Sequence, residues 1–593
     1  MTEQLPAERS CSRREQQAVL GLSAALSILA FAWGWDHHAL LNYGDAVAHL
    51  HIARRVIDSH RPGLEQLGSV WLPLPHLLLI PLVAVYRWWA DGIAGAVPSM
   101  LAYLAACTGI YRLARAWLRP LPSCVALAFF ALNPNLLYLQ TTAMTEPLFL
   151  CEFIWIVLLL VEWRRRLAAD ADSGTRGLWP IACLLIAAIF TRYDGWILAL
   201  LAWTAIGILL LRRGRLRSPA FWLASVAIVA SPLVWFAYNS QVYGDWLDFA
   251  RGPYSAQAIE LRTAKPGGPP HPGWHDPWTA LHYFMKCAEL DASPEAGAMA
   301  LLVLSLLGTA WGWLEAHRRG FSWTLLLWLP VPFYAYSIAY GSVPIFIPPL
   351  WPHSWYNTRY GMEILPAFAL SLGFGARVVL SAVHEFKPRW VSVAACVLFA
   401  GVGVNEWLVL RNQPLTYEEG VKNVEARRPL LEEIPPLLRK LLASRPSGEI
   451  LMETSVYPQL VTETGIPLKR TINESDKQFY QAALAAPAAK AAIVVAFDGD
   501  EVDRAVKMHP EDLRIVGRFH APGQPAATVY ISTFRAPEQT ASSVIASGKR
   551  DSGTEDMGAD GIHIDRSLRV LQPLRASDLK QGWQMSAMQQ SRA

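Results

Sequence analysis

The chain is poor in charge: only 17% of its 593 residues are Asp, Glu, Lys or Arg, and the formal net charge is +4. Such a balance gives no case for nucleic-acid binding. Cysteine is sparse as well. Of seven, Cys107, Cys124, Cys151, Cys183 and Cys396 lie in apolar runs and read as small hydrophobes, Cys11 is near the start and Cys287 is alone in a loop. Neither a disulfide framework nor a CxxC metal site follows from that spacing. There is no GxGxxG and no P-loop, so nothing points to nucleotide binding. Nor is there an internal repeat of the kind transporters use.

What the chain does have is hydrophobic length. Apolar residues make up 53% of it, with 25 Trp suited to interfacial belts. Apolar runs of about twenty residues recur between residues 18 and 410, each long enough to cross a bilayer core. Basic connections mark the cytoplasmic side: Arg112, Arg115 and Arg119; Arg164–Arg166; Arg212–Arg217; Arg318 with Arg319; Lys387 with Arg389. All five fall on one side only if "LPLPHLLLIPLVAVYRWW" (Leu72 to Trp89) does not cross. Its three prolines and terminal Trp pair suit a helix lying in the interface. The expected spans are 18–35, 96–112, 122–140, 147–163, 178–191, 195–211, 219–238, 297–314, 322–341, 360–380 and 389–410. The expected fold class is therefore a polytopic α-helical membrane protein of about 11 transmembrane helices, with interfacial helices in the first external loop.

This arrangement makes 1–412 a transmembrane module, with a first external loop at 36–95 and a second at 239–296. Ala30-Phe31-Ala32 resembles a signal-peptidase site, but an uncleaved anchor is expected. After residue 412 a polar helical linker leads to "GEILMETS", "AAIVVAF", "LRIVGRF" and "ATVYIST", alternating with helical stretches. That pattern predicts a small α/β domain at about 445–535, on the same external side as the loops. Residues 536–593 are polar and Gly/Ser/Gln-rich, the composition of a disordered tail. Asn473-Glu474-Ser475 is a formal glycosylation sequon.

The notable charges then fall at external helix ends. Asp45, behind Gly44, opens "DAVAHLHIARRVID", where it serves either as a helix N-cap or as a functional acid. His49, four residues on, shares its face; His49 and His51 read as interfacial polar residues, and Arg54 and Arg55 as contacts to lipid phosphates. Glu146 precedes Pro147 at a tight turn between two spans, good capping chemistry but an expensive place for an unpaired acid. "TRYDGW" sets Arg192 and Asp194 at a hairpin tip, as a self-contained ion pair or as participants. "WPHSWYNTRYGMEILP" brings His353, Arg359 and Tyr360 to the start of a span, where Arg359 either grips a lipid phosphate or snorkels to headgroups.

The Gly44-Asp45 pair, "LPLPH", Glu146-Pro147, "TRYDG" and the late "RYG…LP" together resemble the GT-C integral-membrane glycosyltransferases. The likeness is to bacterial relatives of protein O-mannosyltransferases and lipid A aminoarabinose transferases, over roughly residues 15–410. It implies Asp45 as catalytic acid of the first loop and Glu146 as the second acidic position. Those relatives often carry a second acid where this chain has Ala46, and a Lys-Pro-Pro or His-Pro-Pro where it has Leu74-Pro75-His76. His76 then stands in for a basic phosphate contact.

The resemblance implies transfer of a sugar from a polyprenyl-phosphate donor to an acceptor hydroxyl (lipid, glycan or protein) on the extracytoplasmic face of the plasma membrane, by inverting single displacement. Asp45 would be general base, Glu146 would orient a substrate and Arg359 would lead the phosphate site, with Tyr360, His76, His49, Arg192, Asp194 and His353 as further binding residues. No cofactor is required, although some members use a divalent cation, Mg or Mn. The rival readings are a transporter or flippase for lipid-linked saccharide and a catalytically silent assembly partner. Transporters place ionisable residues mid-span and show repeated halves; here the charges sit at span ends.

Overall fold

The computed structural model describes residues 11–169, 177–263, 269–317 and 320–534. Arg318, Arg319 and the 536–593 tail lie outside the described residues. Helix α1 (Arg13–Asp36) starts on Ser12, whose hydroxyl accepts from the Glu15 amide, and runs unbroken through Ala30-Phe31-Ala32. Its Leu22, Ile28 and Leu29 are exposed, as lipid-facing residues are. Two helices follow in the first loop, α2 (Gly44–Arg55) and α3 (Pro73–Val83), then the short α4 (Tyr86–Ala90). At 11 residues α3 is about 16 Å long, roughly half a bilayer core.

The bundle continues with α5 (Ile93–Arg115), α6 (Pro120–Ala131), α7 (Pro134–Leu139), α8 (Glu146–Ala169), α9 (Leu178–Thr191), α10 (Asp194–Arg212) and α11 (Pro219–Tyr243). The second loop holds α12 (Asp248–Arg251), α13 (Ala256–Thr263) and α14 (Pro277–Ala292). Then come α15 (Glu295–Ala316), α16 (Pro330–Tyr340), α17 (Leu365–Phe386) and α18 (Val391–Arg411).

Among the described residues, seven helical segments are long and apolar enough to cross a membrane. Of the eleven expected spans, 122–140, 147–163, 178–191 and 322–341 are not among these seven: 147–163 lies in the more charged α8, 178–191 in the 14-residue α9, and two others, with the retained 360–380, take a different form. The 122–140 run breaks because Pro134 starts a new helix, with the Asn133 side chain accepting from the Leu136 amide. The 322–341 run is a tight 3-10 segment, Phe321–Trp328, before α16 begins at Pro330. The 360–380 run opens as a 3-10 turn, Thr358–Ile364, ahead of α17.

Charge is segregated by helix end. Arg112 pairs with Glu162 at 2.8 Å, Arg115 with Glu15 at 3.1 Å, and Arg213 donates to the Leu167 carbonyl at 3.0 Å. These contacts collect three of the basic connections at one end of the bundle. Glu146 starts α8 and Glu162 lies 16 residues along it, which separates the polar residues at the two ends by about 24 Å.

Beyond α18, α19 (Leu415–Glu425) and α20 (Arg428–Ala443) lead into the C-terminal domain. Its five strands, β1 (Ile450–Leu451), β2 (Thr471–Ile472), β3 (Ile493–Phe497), β4 (Leu513–Phe519) and β5 (Ala527–Ser532), pair in the order β2-β1-β3-β5-β4. The β2-β1-β3 half is parallel and the β3-β5-β4 half antiparallel. Strand β3 is wholly buried, as a central strand covered on both faces should be. The two-residue β2 is too short to leave a pattern in the sequence. Asn473, of the sequon, is buried and caps the next turn.

The domain docks on the first loop. Arg55 Nη1 donates to Ser475 Oγ at 2.7 Å, and the amides of Leu468 and His60 donate to Asp58 and Asp476 at 3.1 and 3.4 Å. This corrects the expectation for Arg54 and Arg55. Arg54 is spent on Asp58 at 2.8 Å and the Val83 carbonyl at 2.6 Å, and Arg55 on Ser475 and the Gln66 carbonyl, so both brace the loop internally. Because the docking bonds join residues 55–60 to 468–476, both segments lie on one side of the membrane. Cysteines engineered at exposed positions in 36–70 and in 445–535 are expected to react together with a membrane-impermeant maleimide in intact cells. Reaction of one with protection of the other would break this arrangement.

Candidate functional site

Six segments deliver polar side chains to one point at the loop end of the bundle. Arg192 lies between α9 and α10 in a hairpin made tight by Gly195, where a Cβ would stand 2.2 Å from the Ala188 carbonyl oxygen. Its Nε faces Asp194 at 3.3 Å. Nη1 donates to Glu146 Oε1 at 3.0 Å and Thr145 Oγ1 at 3.2 Å. Nη2 reaches Tyr334 of α16 at 2.7 Å and Glu363 at 2.9 Å. Tyr334 in turn donates to Glu363 at 2.7 Å.

Arg359, on the 3-10 turn before α17, is spread across three acids. Nε donates to Glu146 Oε1 at 3.1 Å, Nη1 to Glu419 at 3.3 Å and Nη2 to Asp45 at 2.6 Å. Both guanidiniums lie over the Tyr360 ring, Arg192 at 5.1 Å and Arg359 at 4.9 Å from its centre, so its π-cloud adds to the acids that face them. Five carboxyl groups thus surround two guanidiniums. Such a surplus of acid is balanced by protonation or by a further cation.

Asp45 is not a side-chain cap. Tyr43 occupies the N-cap of α2 without a side-chain capping bond, its hydroxyl donating to Glu419 at 3.3 Å, and the Asp45 carboxylate turns to Arg359. It remains in the first turn, where the helix dipole favours an anion. Its side chain is 41% exposed, against 1% for Glu146 and 4% for Glu419. Only Asp45 among these three is open to an incoming group. Glu146 has one oxygen, Oε2, buried without a hydrogen-bond partner.

His49 and His76 also meet, Nδ1 to Nε2 at 2.8 Å, beneath Trp71. Burial pushes His49 down to about 3 and His76 well below its ordinary value, so the pair is neutral, one ring donating to the other. His353 stays outside this cluster: it is exposed, and its Nδ1 is bonded to the Pro348 carbonyl of its own loop at 2.8 Å. Four participants had no signal in the sequence: Glu419, Tyr43, Tyr334 and Glu363. Glu419 accepts the amides of Asn357 and Thr358 at 3.0 and 2.9 Å as well as Arg359, fixing the turn that aims the arginine. Among the described residues no group of three His, Cys, Asp or Glu side chains is arranged to hold a metal ion.

No family model and no curated protein matches the sequence. Solved structures do. The chain superposes on ArnT from Cupriavidus metallidurans bound to undecaprenyl phosphate with a TM-score of 0.50 and 12% identity, covering 86% of this chain and 98% of that one. The fold is GT-C. The apo form of the same protein aligns with a TM-score of 0.49 and 14% identity over the same shares. At 12% identity the shared property is the fold alone.

Two measurements check this site. Replacing Arg359 by Met leaves Glu419 buried without a counter-charge and removes one of two arginines from Glu146, and breaking a buried pair in this way costs about 3–5 kcal/mol; the melting temperature in detergent is expected to fall well below that of wild type, and an unchanged value would remove Arg359 as the hub. The second concerns pH. His51, tilted against Trp89 with Nε2 unpartnered, is also pushed down to about 3 by burial. A histidine held neutral adds stability above its unfolded pKa near 6.5, and that stability is lost as pH falls from there towards 3. Melting temperature is expected to drop over this window, less steeply in His51→Phe; identical slopes would show that His51 does not contribute.

Proposed function

We propose that this protein transfers a sugar from a polyprenyl-phosphate donor to an acceptor hydroxyl, in the cell envelope, on the face of the membrane where its loops and C-terminal domain lie. The carrying observation is Asp45: a part-exposed carboxylate held at 2.6 Å by a buried arginine, at the membrane-surface end of a GT-C fold. The donor class rests on the undecaprenyl phosphate bound by ArnT, which supports the reading without fixing the sugar.

The chemistry follows from the arrangement. The acceptor hydroxyl approaches Asp45, which takes its proton as the new bond forms at the anomeric carbon. The bond from that carbon to the phosphate oxygen breaks, its electron pair leaving with the polyprenyl phosphate, and the anomeric configuration inverts. Arg359 orients Asp45 by donating from Nη2 to one of its carboxylate oxygens. Glu146, fixed by both arginines, orients them with respect to the substrate. Tyr360 and the His49–His76 pair line the approach and carry no charge at neutral pH. The acceptor is a lipid, glycan or protein that presents a hydroxyl at the membrane surface.

Asp45→Asn tests this directly. The amide keeps the shape but cannot take a proton, and removing a general base slows transfer by about 10²–10⁴-fold. Cells carrying only this variant are expected to accumulate the same polyprenyl-phosphate sugar, by mass spectrometry of lipid extracts, as cells without the protein. A lipid profile equal to wild type would return Asp45 to a structural role.

A further inference from the structure

Arg359 is an awkward sole ligand for a leaving phosphate. Three of its five N–H groups are committed to carboxylates, and its charge is already outweighed by them. A phosphate gaining negative charge as it departs needs a cation that is not already neutralised.

One stands beside Asp45. Arg427, between α19 and α20, reaches the first turn of α2: a Cβ on Gly44 would lie 3.0 Å from its Nη1. The absence of a side chain at 44 is what admits the guanidinium there. Among the described residues Arg427 has one ring contact, over Tyr457 at 5.8 Å, and no ion pair. Asp45 is the acid whose charge reaches it. Tyr457 is itself held in the C-terminal domain, stacked on Phe497 of β3 at 4.2 Å and bonded to Gln524 at 2.9 Å. A rigid line therefore runs from the sheet core through Tyr457 to Arg427 and the exposed acid.

We infer that Arg427 is a phosphate-binding residue of this site, so that the linker and C-terminal domain complete the donor pocket. This deepens the proposed function and rests on it. An uncommitted guanidinium can grip a phosphate with two parallel hydrogen bonds, a geometry that Lys cannot copy. Its position next to the base places the phosphate charge close to the sugar carbon under attack.

The test uses the full chain in phosphatidylcholine nanodiscs, with undecaprenyl phosphate and the uncharged undecaprenol as probes. Wild type is expected to prefer the phosphate. Arg427→Gln is expected to weaken undecaprenyl phosphate about ten- to hundredfold, the worth of charge-assisted hydrogen bonds, while undecaprenol binding stays the same. Arg427→Lys is expected to fall between the two. Gly44→Ala, which leaves Arg427 in place but crowds its guanidinium, provides the check if Arg427→Gln unfolds, and is expected to weaken phosphate binding alone. Failure of wild type to prefer undecaprenyl phosphate would overturn the donor reading itself. Preference retained in Arg427→Gln, or in Gly44→Ala where that variant is the check, would overturn only the role of Arg427. Equal competition by phosphatidylglycerol headgroups would show a general lipid-phosphate contact and also overturn it.

Discussion

An arginine buried where membrane meets water has to be surrounded by acids, and that requirement organises this molecule. Arg359 is satisfied only if α2, the start of α8 and α19 converge on it, because Asp45, Glu146 and Glu419 arrive from those three places. Arg192 adds the α9–α10 hairpin, α16 and the turn before α17 through Asp194, Tyr334 and Glu363. Glu146 Oε1 is shared by both cations, so the two groups of segments are locked to each other through one oxygen. Removing either arginine would leave acids buried without a counter-charge, a far larger penalty than losing an exposed pair.

The readable part of this site was the part with contrast. Asp45, Glu146, Arg192, Asp194 and Arg359 each interrupt or terminate an apolar run, and a charge in such a place is expensive enough to need a reason. Glu419 and Arg427 sit in a segment that is polar throughout, "TYEEGVKNVEARR", where two more charges carry no information. Only the fold shows that α19 turns one face inward and buries Glu419 to 4% exposure. The same lack of contrast misled in the other direction. Arg54 and Arg55 look like lipid contacts because they follow an amphipathic stretch, yet the docked C-terminal domain and α3 supply closer acceptors. His353, in a Trp- and Tyr-rich loop, bonds to its own backbone instead.

Helix number was legible to the extent that hydrophobic length sets it. Proline decided where the reading broke. Pro134 and Pro330 each begin a helix inside a run long enough to cross, and their missing amide donors make a start cheaper than a continuation. Pro330 opens the helix that carries Tyr334 to the site, and Pro134 the short helix that precedes Glu146. A straight helix through either position would deliver its polar residue at a different depth.

The C-terminal domain gains a physical purpose from the charge count. Five carboxyl groups against two arginines leave the membrane module short of positive charge at this point, where the proposed function would place a phosphate. More arginine inside the bundle would only be absorbed by the acids already there, as Arg192 and Arg359 are. Arg427, in the linker that leads to the domain, escapes that fate because its neighbour is the ring of Tyr457, stacked on Phe497, and not a carboxylate. The bonds from Ser475, Leu468 and Asp476 to the first loop then keep the domain in register with Asp45. Under the proposed function, the base and the cation inferred for the leaving phosphate are positioned by different parts of the chain, so neither has to compromise its own hydrogen bonds for the other.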